Sequence, residues 1–177
     1  MKGFQRNNQF LSLCGLNCGL CPMHLLNHCG GCGNGNQSCQ IARCSLEHKS
    51  IEYCFECHSY PCEKYLHIDD FDSFITHQHQ IRDLEKAQKI GIDAYNQEQQ
   101  EKIKILYDLL KNYNDGRKKA FFCIAVNLLE LSDLQTIMKA IQKENLSTLS
   151  DKEKSLFVVD MIQKVAKFHN ISLKLKK

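Results

Sequence analysis

Ten of the chain's eleven cysteines fall between residues 14 and 62, and this concentration constrains the fold more than any other feature. Three C-x2-C pairs stand in this stretch, with four further cysteines around them. A C-x2-C loop can present two thiolates to one ion at the Zn–S distance of about 2.3 Å. The pattern therefore predicts a metal-stabilised region whose candidate ligands are Cys14, Cys18, Cys21, Cys29, Cys32, Cys39, Cys44, Cys54, Cys57 and Cys62.

The redox compartment bears on how these thiols are interpreted. The first ten residues, MKGFQRNNQF, lack the apolar core of a secretory signal, and no apolar run approaches the roughly 18 residues of a membrane span. We therefore expect a cytoplasmic protein with no membrane partner. In a reducing compartment, clustered cysteines are metal ligands more often than disulfides, although a secreted chain with the same cysteines would form a disulfide framework.

The glycines and the scarcity of apolar residues support structural ligands. Glycine directly follows Cys14, Cys18, Cys29 and Cys32. Metal-binding turns aim backbone N–H groups at the sulfurs, which often requires the positive φ that glycine adopts freely. About 50 residues with few large apolar side chains cannot bury enough surface to fold alone. A structural zinc ion supplies about 10–16 kcal/mol, so we expect metal binding to drive folding here.

The number and identity of the ions are less constrained. Ten thiols do not divide by four, so two all-cysteine sites would leave two cysteines over. We predict two Zn²⁺ ions and leave the pairing open. The alternative is an iron–sulfur cluster, because the C-x3-C-x2-C spacing at the start of the region also occurs in radical-SAM enzymes. The strand–helix alternation of their barrel is missing from the sequence after Cys21.

Some residues near the cysteines are rival ligands or candidate acid–base groups. His24 and His28 could share a face of a short helix beginning at Pro22. His48 and His58 also lie near cysteines. A zinc enzyme would need an open coordination position and a nearby acid or base, for which the candidates are Glu47, Glu52, Glu56 and Glu63. No catalytic residue is predicted, and an enzymatic role is the less favoured interpretation.

The charge distribution argues against nucleic-acid binding by the cysteine region. The first 70 residues carry five Lys or Arg and six Asp or Glu, and metal-bound thiolates would add negative charge. A nucleic-acid-binding finger needs a basic face. The remaining residues carry 18 basic and 14 acidic side chains, so nucleic-acid binding through them stays an alternative.

The second part of the chain shows helical periodicity. Four apolar stripes repeat at i, i+3, i+4 and i+7 or close to it, and one of them is Leu134, Ile137, Met138 and Ile141. A further helix is expected over 81–89, with a break near Gly91. Capping boxes are predicted at Ser132 and Ser150. We predict a mainly α protein: a cysteine-rich, metal-stabilised module with little regular structure over 1–67, and a bundle of four to six helices over 68–177.

The order of the cysteine motifs resembles that of a known family. CGLNCGLCP, CGGC, CQIARC and CFECHSYPCEK follow one another over residues 14–64. They are similar to a bacterial and archaeal family of unknown function whose N-terminal region is described as a zinc finger. The resemblance implies zinc binding through these cysteines and implies no reaction.

The expected function is therefore a structural zinc-binding protein whose biological role is protein interaction or regulation. An iron–sulfur or thiol redox protein is the alternative. A protein partner is expected, whereas nucleic acid is not expected to bind the cysteine region.

Overall fold

A computed structural model describes residues 1–177 and shows a mainly helical chain, as predicted. Its only β feature is an isolated antiparallel bridge between Leu11 and Asn17. The seven helices are α1 Pro22–Leu25, α2 Gln40–Glu47, α3 Gln80–Ile90, α4 Ile92–Asn112, α5 Lys119–Leu128, α6 Leu131–Lys143 and α7 Asp151–Phe168. Three short 3₁₀ turns cover Cys18–Leu20, Cys54–Glu56 and Glu63–Tyr65.

The chain forms two compact units. The first consists of residues 1–99 together with 175–177, and the second of residues 100–174. The predicted boundary at residue 67 follows the change in cysteine content, but the first unit continues to Gln99. The reason is that α3 and the start of α4 complete its core.

The core of the first unit combines the cysteine region with these two helices. Its buried members are Phe4, Leu11, Leu13, Ala42, Tyr53, Cys54, Tyr65, Leu84, Ala87 and Tyr95. The last three come from α3 and α4, so the cysteine region is not left to bury its apolar side chains unaided. Cys14, Cys32, Cys39 and Cys62 are partly buried against this core. The candidate ligands therefore lie at the edge of an apolar cluster.

Buried polar contacts fix α3 and α4 against the first cysteine turn. The Tyr95 hydroxyl donates to Asn17 Oδ1 at 2.9 Å, and Asn17 Nδ2 donates to Asp83 Oδ2 at 2.7 Å. Gln80 Nε2 donates to the Cys14 carbonyl at 3.0 Å. Since a buried polar group without a partner costs about 1–3 kcal/mol, these contacts specify how the helices pack on the turn.

The second unit is built around α5. Every residue from Phe122 to Leu129 is buried, so this helix has no solvent-facing side along that stretch. In α6, the predicted stripe of Leu134, Ile137, Met138 and Ile141 is buried, as expected from its 3.6-residue period. None of the helices in the structure is both long enough and apolar enough to cross a membrane.

One of the two predicted capping boxes is confirmed and the other is wrong. Ser150 Oγ accepts from the Glu153 N–H, and Glu153 Oε2 accepts from the Ser150 N–H at 2.9 Å. In α6 the N-cap is Glu130, and the Glu130 carbonyl already accepts from the Leu134 N–H at 3.1 Å. Ser132 therefore lies inside the first helical turn, where its side chain is not needed as a cap.

This difference gives a matched pair of substitutions. Ser150→Ala is expected to lower the free energy of unfolding by about 1 kcal/mol, because a backbone N–H of α7 loses its acceptor. Ser132→Ala is expected to change it by less than about 0.5 kcal/mol, since that serine caps nothing. Urea denaturation followed by circular dichroism measures both, and equal effects would contradict the observed helix starts.

Candidate metal centres

All ten predicted ligands lie in the first unit, and every cysteine is a free thiol. The eleventh, Cys123, belongs to the second unit and is buried in α5. Four of the ten line one cavity and the other six lie outside it, although burial raises the pKa of Cys54 and the Cys14 thiol of the second set adds to that rise. The four-cysteine group is Cys44, Cys54, Cys57 and Cys62. The six-cysteine group is Cys14, Cys18, Cys21, Cys29, Cys32 and Cys39.

The four-cysteine group is assembled by α2 and two 3₁₀ turns. Cys44 lies in α2. Cys54 opens the first turn, and the Cys57 N–H donates to the Cys54 carbonyl at 3.0 Å, which keeps this C-x2-C pair together. Cys62 precedes the second turn, where its carbonyl accepts from the Tyr65 N–H at 2.9 Å.

These four residues line a cavity of about 30 Å³. That volume suits one or two water-sized species and excludes an organic substrate. His48, Tyr60 and Tyr65 also line it. The Tyr60 and Tyr65 hydroxyls are buried and form no hydrogen bond with an oxygen or nitrogen atom, although the Tyr65 hydroxyl lies within reach of the Cys54 sulfur. The cavity thus combines four thiols with two buried hydroxyls that lack an oxygen or nitrogen partner.

Burial shapes the electrostatics of this group. It raises the pKa of Cys54 to about 12; the Tyr65 hydroxyl opposes that rise, and neighbouring thiols add to it. Burial also raises the pKa of Cys44, while the Lys64 ammonium lowers it. At neutral pH and without a bound cation, both thiols are therefore protonated. A thiolate at either position needs a positive charge or a hydrogen-bond donor beside it.

Burial has the same effect in the six-cysteine group. It raises the pKa of Cys18 strongly, and the surrounding thiols Cys32, Cys14, Cys21 and Cys29 raise it further. Burial raises the pKa of Cys32 to about 11, and Cys14 adds to that rise. Five or more thiols in mutual electrostatic reach cannot all ionise unless a cation neutralises them.

Hydrogen-bond donors point at several sulfurs of this group. Backbone N–H groups of Leu16 and Leu13 lower the pKa values of Cys14 and Cys32, respectively, against the effect of burial. The Ala42 N–H donates to Cys39 Sγ at 3.5 Å. Such N–H···S contacts hold thiolate ligands in place in metal sites. Only Leu16 belongs to a turn in which glycine follows a cysteine, and of the four glycines that directly follow cysteines, Gly15 and Gly33 have positive φ whereas Gly19 and Gly30 do not.

The rival histidines are engaged in other contacts. The Nδ1 atoms of His24 and His48 lie 3.1 and 2.9 Å from the carbonyls of Cys29 and Cys44, so each carries its proton on Nδ1. His48 lines the cavity, and its Nδ1 also lies 3.6 Å from Cys44 Sγ. Helix α1 ends at Leu25 and does not place His24 and His28 on one helical face.

The glutamates considered for an open zinc site have structural contacts. Glu52 Oε1 accepts from the backbone N–H groups of Asn7 and Asn8 at 3.1 and 3.0 Å. Glu56 Oε2 accepts from the Glu52 N–H at 2.9 Å. Glu63 pairs with Lys64, and its side chain is 82 % exposed. These contacts give three of the four glutamates a structural role that does not depend on catalysis.

The sulfur atoms of the cysteines do not point at a common centre. No group of three or more His, Cys, Asp or Glu side chains is arranged so that it could hold a metal ion. The donor chemistry, the size of the cavity and the two buried hydroxyls beside the sulfurs nevertheless fit an ion with soft ligands. Loading one would require the thiols of the four-cysteine group to turn toward a shared point.

Of the polar residues that surround the cavity, the sequence pointed to His48 but not to Tyr60, Lys64 and Tyr65. All three stand within three residues of Cys62 in the run SYPCEKY. The available signal was this adjacency, since a side chain close in sequence to a ligand often hydrogen-bonds to it.

In comparisons with known proteins, no protein-family model matches the chain, no curated protein is significantly similar to it, and no solved structure has a significantly similar fold. The resemblance to the zinc-finger family therefore stays a prediction that depends on the cysteine motifs.

Proposed function

We propose that the first unit is a structural zinc module. One ion is held by the four-cysteine group, and a second by four thiols of the six-cysteine group. The observation that carries the proposal is the arrangement of Cys44, Cys54, Cys57 and Cys62 around one small cavity. Four cysteines around one ion is the usual composition of a closed, structural zinc site.

The cysteines that line the cavity favour the thiolate form only when a cation is bound beside them. A bound zinc ion supplies the positive charge that buried thiolates otherwise lack. Cys44 and Cys54 would each give up a proton on loading, because burial keeps them protonated in the metal-free protein. The module thereby gains stabilisation from the metal in addition to its apolar core.

The volume of the cavity favours a single ion over an iron–sulfur cluster. About 30 Å³ is room for one or two water-sized species, and a cluster of several iron and sulfide atoms is larger than that. An iron–sulfur or thiol redox protein remains the alternative function, mainly because the C-x3-C-x2-C spacing of the six-cysteine group is compatible with both metals.

The wider role that we propose is protein interaction or regulation in the cytoplasm. Three large apolar side chains that follow the four-cysteine group are exposed: Leu66 by 72 %, and Phe71 and Phe74 by 67 % each. Exposed apolar side chains close together in sequence are typical of surfaces that contact other proteins. The free state of all eleven cysteines supports a reducing compartment.

Elemental analysis combined with native mass spectrometry tests the metal. Protein purified without added metal is expected to contain two zinc ions per chain and to be colourless. The expected count follows from two thiol groups that each offer at least four ligands. Iron with visible absorbance would instead support the redox alternative, and a metal-free folded protein would overturn the proposal.

A further inference from the structure

We propose that the Tyr65 hydroxyl and the Lys64 ammonium stabilise the thiolates of the four-cysteine group, the first by a hydrogen bond and the second by its charge. The inference rests on the proposed zinc site and adds two residues that are not ligands but determine its affinity. Both are positioning and charge-compensating groups, since neither needs to touch the ion.

The Tyr65 hydroxyl is buried beside the thiols. Tyr65 is 6 % exposed, and its hydroxyl forms no hydrogen bond with an oxygen or nitrogen atom. The ring is held by an edge-to-face contact with Tyr60, with the ring centroids 5.0 Å apart. Tyr65 lines the same cavity as Cys54 and the other three thiols, so the acceptors beside this hydroxyl are sulfur atoms. The orientation of this donor is therefore fixed before any ion binds.

The acceptor that suits this donor best is a thiolate. A protonated thiol is a weak hydrogen-bond acceptor, whereas a thiolate carries a full charge and makes a much stronger bond. The buried hydroxyl therefore gains more from the loaded site than from the metal-free site. The burial of the Tyr65 hydroxyl beside these sulfurs thus has a physical reason if the site is built for deprotonated cysteines.

Lys64 supplies the charge that a single divalent ion does not. Four thiolates around one divalent cation leave a net charge of −2, which is unfavourable in a partly buried site. The Lys64 side chain is 30 % exposed and lines the cavity together with the four thiols. The Lys64 ammonium forms an ion pair with Glu63 at 3.6 Å. Because the Glu63 side chain is 82 % exposed, this pair holds the ammonium only weakly.

Tyr65→Phe tests the hydrogen bond, because it removes the donor and keeps the ring. We expect zinc affinity, measured by competition with a chromogenic chelator, to fall about 10–100-fold. In the Co²⁺-loaded protein we expect the thiolate-to-cobalt charge-transfer band to move to lower energy, since a thiolate that loses a donor holds its electrons less tightly. Tyr95→Phe is the control: it removes a buried hydroxyl of the same unit that bonds to Asn17 instead. It should leave the cobalt band in place.

Lys64 is tested by a pair of substitutions. Lys64→Met is expected to lower zinc affinity severalfold, and Lys64→Arg to retain it, because arginine keeps the charge. Both variants keep a long side chain, so a loss confined to methionine identifies charge as the cause.

The outcomes separate the two proposals. If the unmodified protein binds neither zinc nor cobalt, the proposed function fails and this inference fails with it. If the unmodified protein binds zinc and Tyr65→Phe binds it equally tightly with an unchanged cobalt band, only this inference is overturned. A weaker affinity of Tyr65→Phe with an unchanged cobalt band would assign Tyr65 a role in packing alone and would also overturn this inference.

Discussion

The Cys57→Ala chain is expected to carry one zinc ion instead of two and to lose most of the ordered structure around the four-cysteine group. A structural zinc ion contributes about 10–16 kcal/mol of apparent binding free energy, which is comparable with the whole stability of a domain at about 5–15 kcal/mol. In the proposed site, removing one of the four ligands opens the coordination shell and leaves three cysteines without the positive charge that stabilises thiolates. The effect should therefore greatly exceed that of an ordinary cysteine replacement.

Amide hydrogen exchange on the full-length chain measures this loss at individual residues. The N–H of Cys54 donates to the Leu13 carbonyl at 3.0 Å, and the N–H of Tyr60 donates to the Cys57 carbonyl at 3.0 Å. Both amides are expected to exchange much faster in Cys57→Ala, because these hydrogen bonds depend on the turn that carries the ligands. Native mass spectrometry of the same sample counts the ions.

Cys123→Ala is the matched control for Cys57→Ala. It also removes one thiol, but this thiol is buried in α5 of the second unit and is not a predicted ligand. It should retain both zinc ions and the slow exchange of Cys54 and Tyr60. If Cys57→Ala behaved like Cys123→Ala in both measurements, the four-cysteine group would not be a metal site.

The helices of the second unit could be predicted from the sequence. The stripe of α6 and the capping box at Ser150 are local patterns, and local patterns suffice where a helix buries one face. The misplaced start of α6 shows the limit of this reasoning. Ser132 has the right spacing to Gln135, but the buried segment ending at Leu129 places the first helical carbonyl at Glu130.

The division of the thiols into two groups could not be predicted. Cys44 meets Cys54, Cys57 and Cys62 only because α2 and the two 3₁₀ turns face one cavity, and that contact depends on the tertiary fold. Cysteine spacing describes pairs within a loop, such as Cys54 and Cys57. It carries no information on which loops share an ion.

The sequence also did not predict that α3 and the start of α4 complete the core of the first unit. Leu84 and Tyr95 are fully buried in the core that contains Leu11 and Leu13, yet their periodicity is that of any amphipathic helix. A helical stripe predicts that a face is buried without saying what covers it. The boundary drawn at residue 67 followed composition, whereas the packing follows these long-range contacts.

Gly15→Ala tests that packing and is expected to destabilise the first unit by about 2–6 kcal/mol. Gly15 has φ +99°, and an added Cβ would collide with the backbone carbonyl oxygen of Gln80 and lie 2.8 Å from Leu84 Cγ. A strained φ costs about 1–3 kcal/mol and overpacking a tight contact about 1–3 kcal/mol more. The clash cannot be relieved by a side-chain rotation, because the atom it meets is in the backbone at the start of α3.

Gly3→Ala separates the two contributions. Gly3 has φ +78° and no atom within 4 Å of an added Cβ, so it measures the backbone strain without the collision. Urea denaturation should show a clearly larger loss for Gly15→Ala than for Gly3→Ala. Hydrogen exchange should show that the extra loss falls on α3, whose Gln80 side chain bonds to the Cys14 carbonyl at 3.0 Å. Equal losses would mean that α3 does not pack on the first cysteine turn, and the candidate ligand Cys14 would then lack the support that this helix gives it.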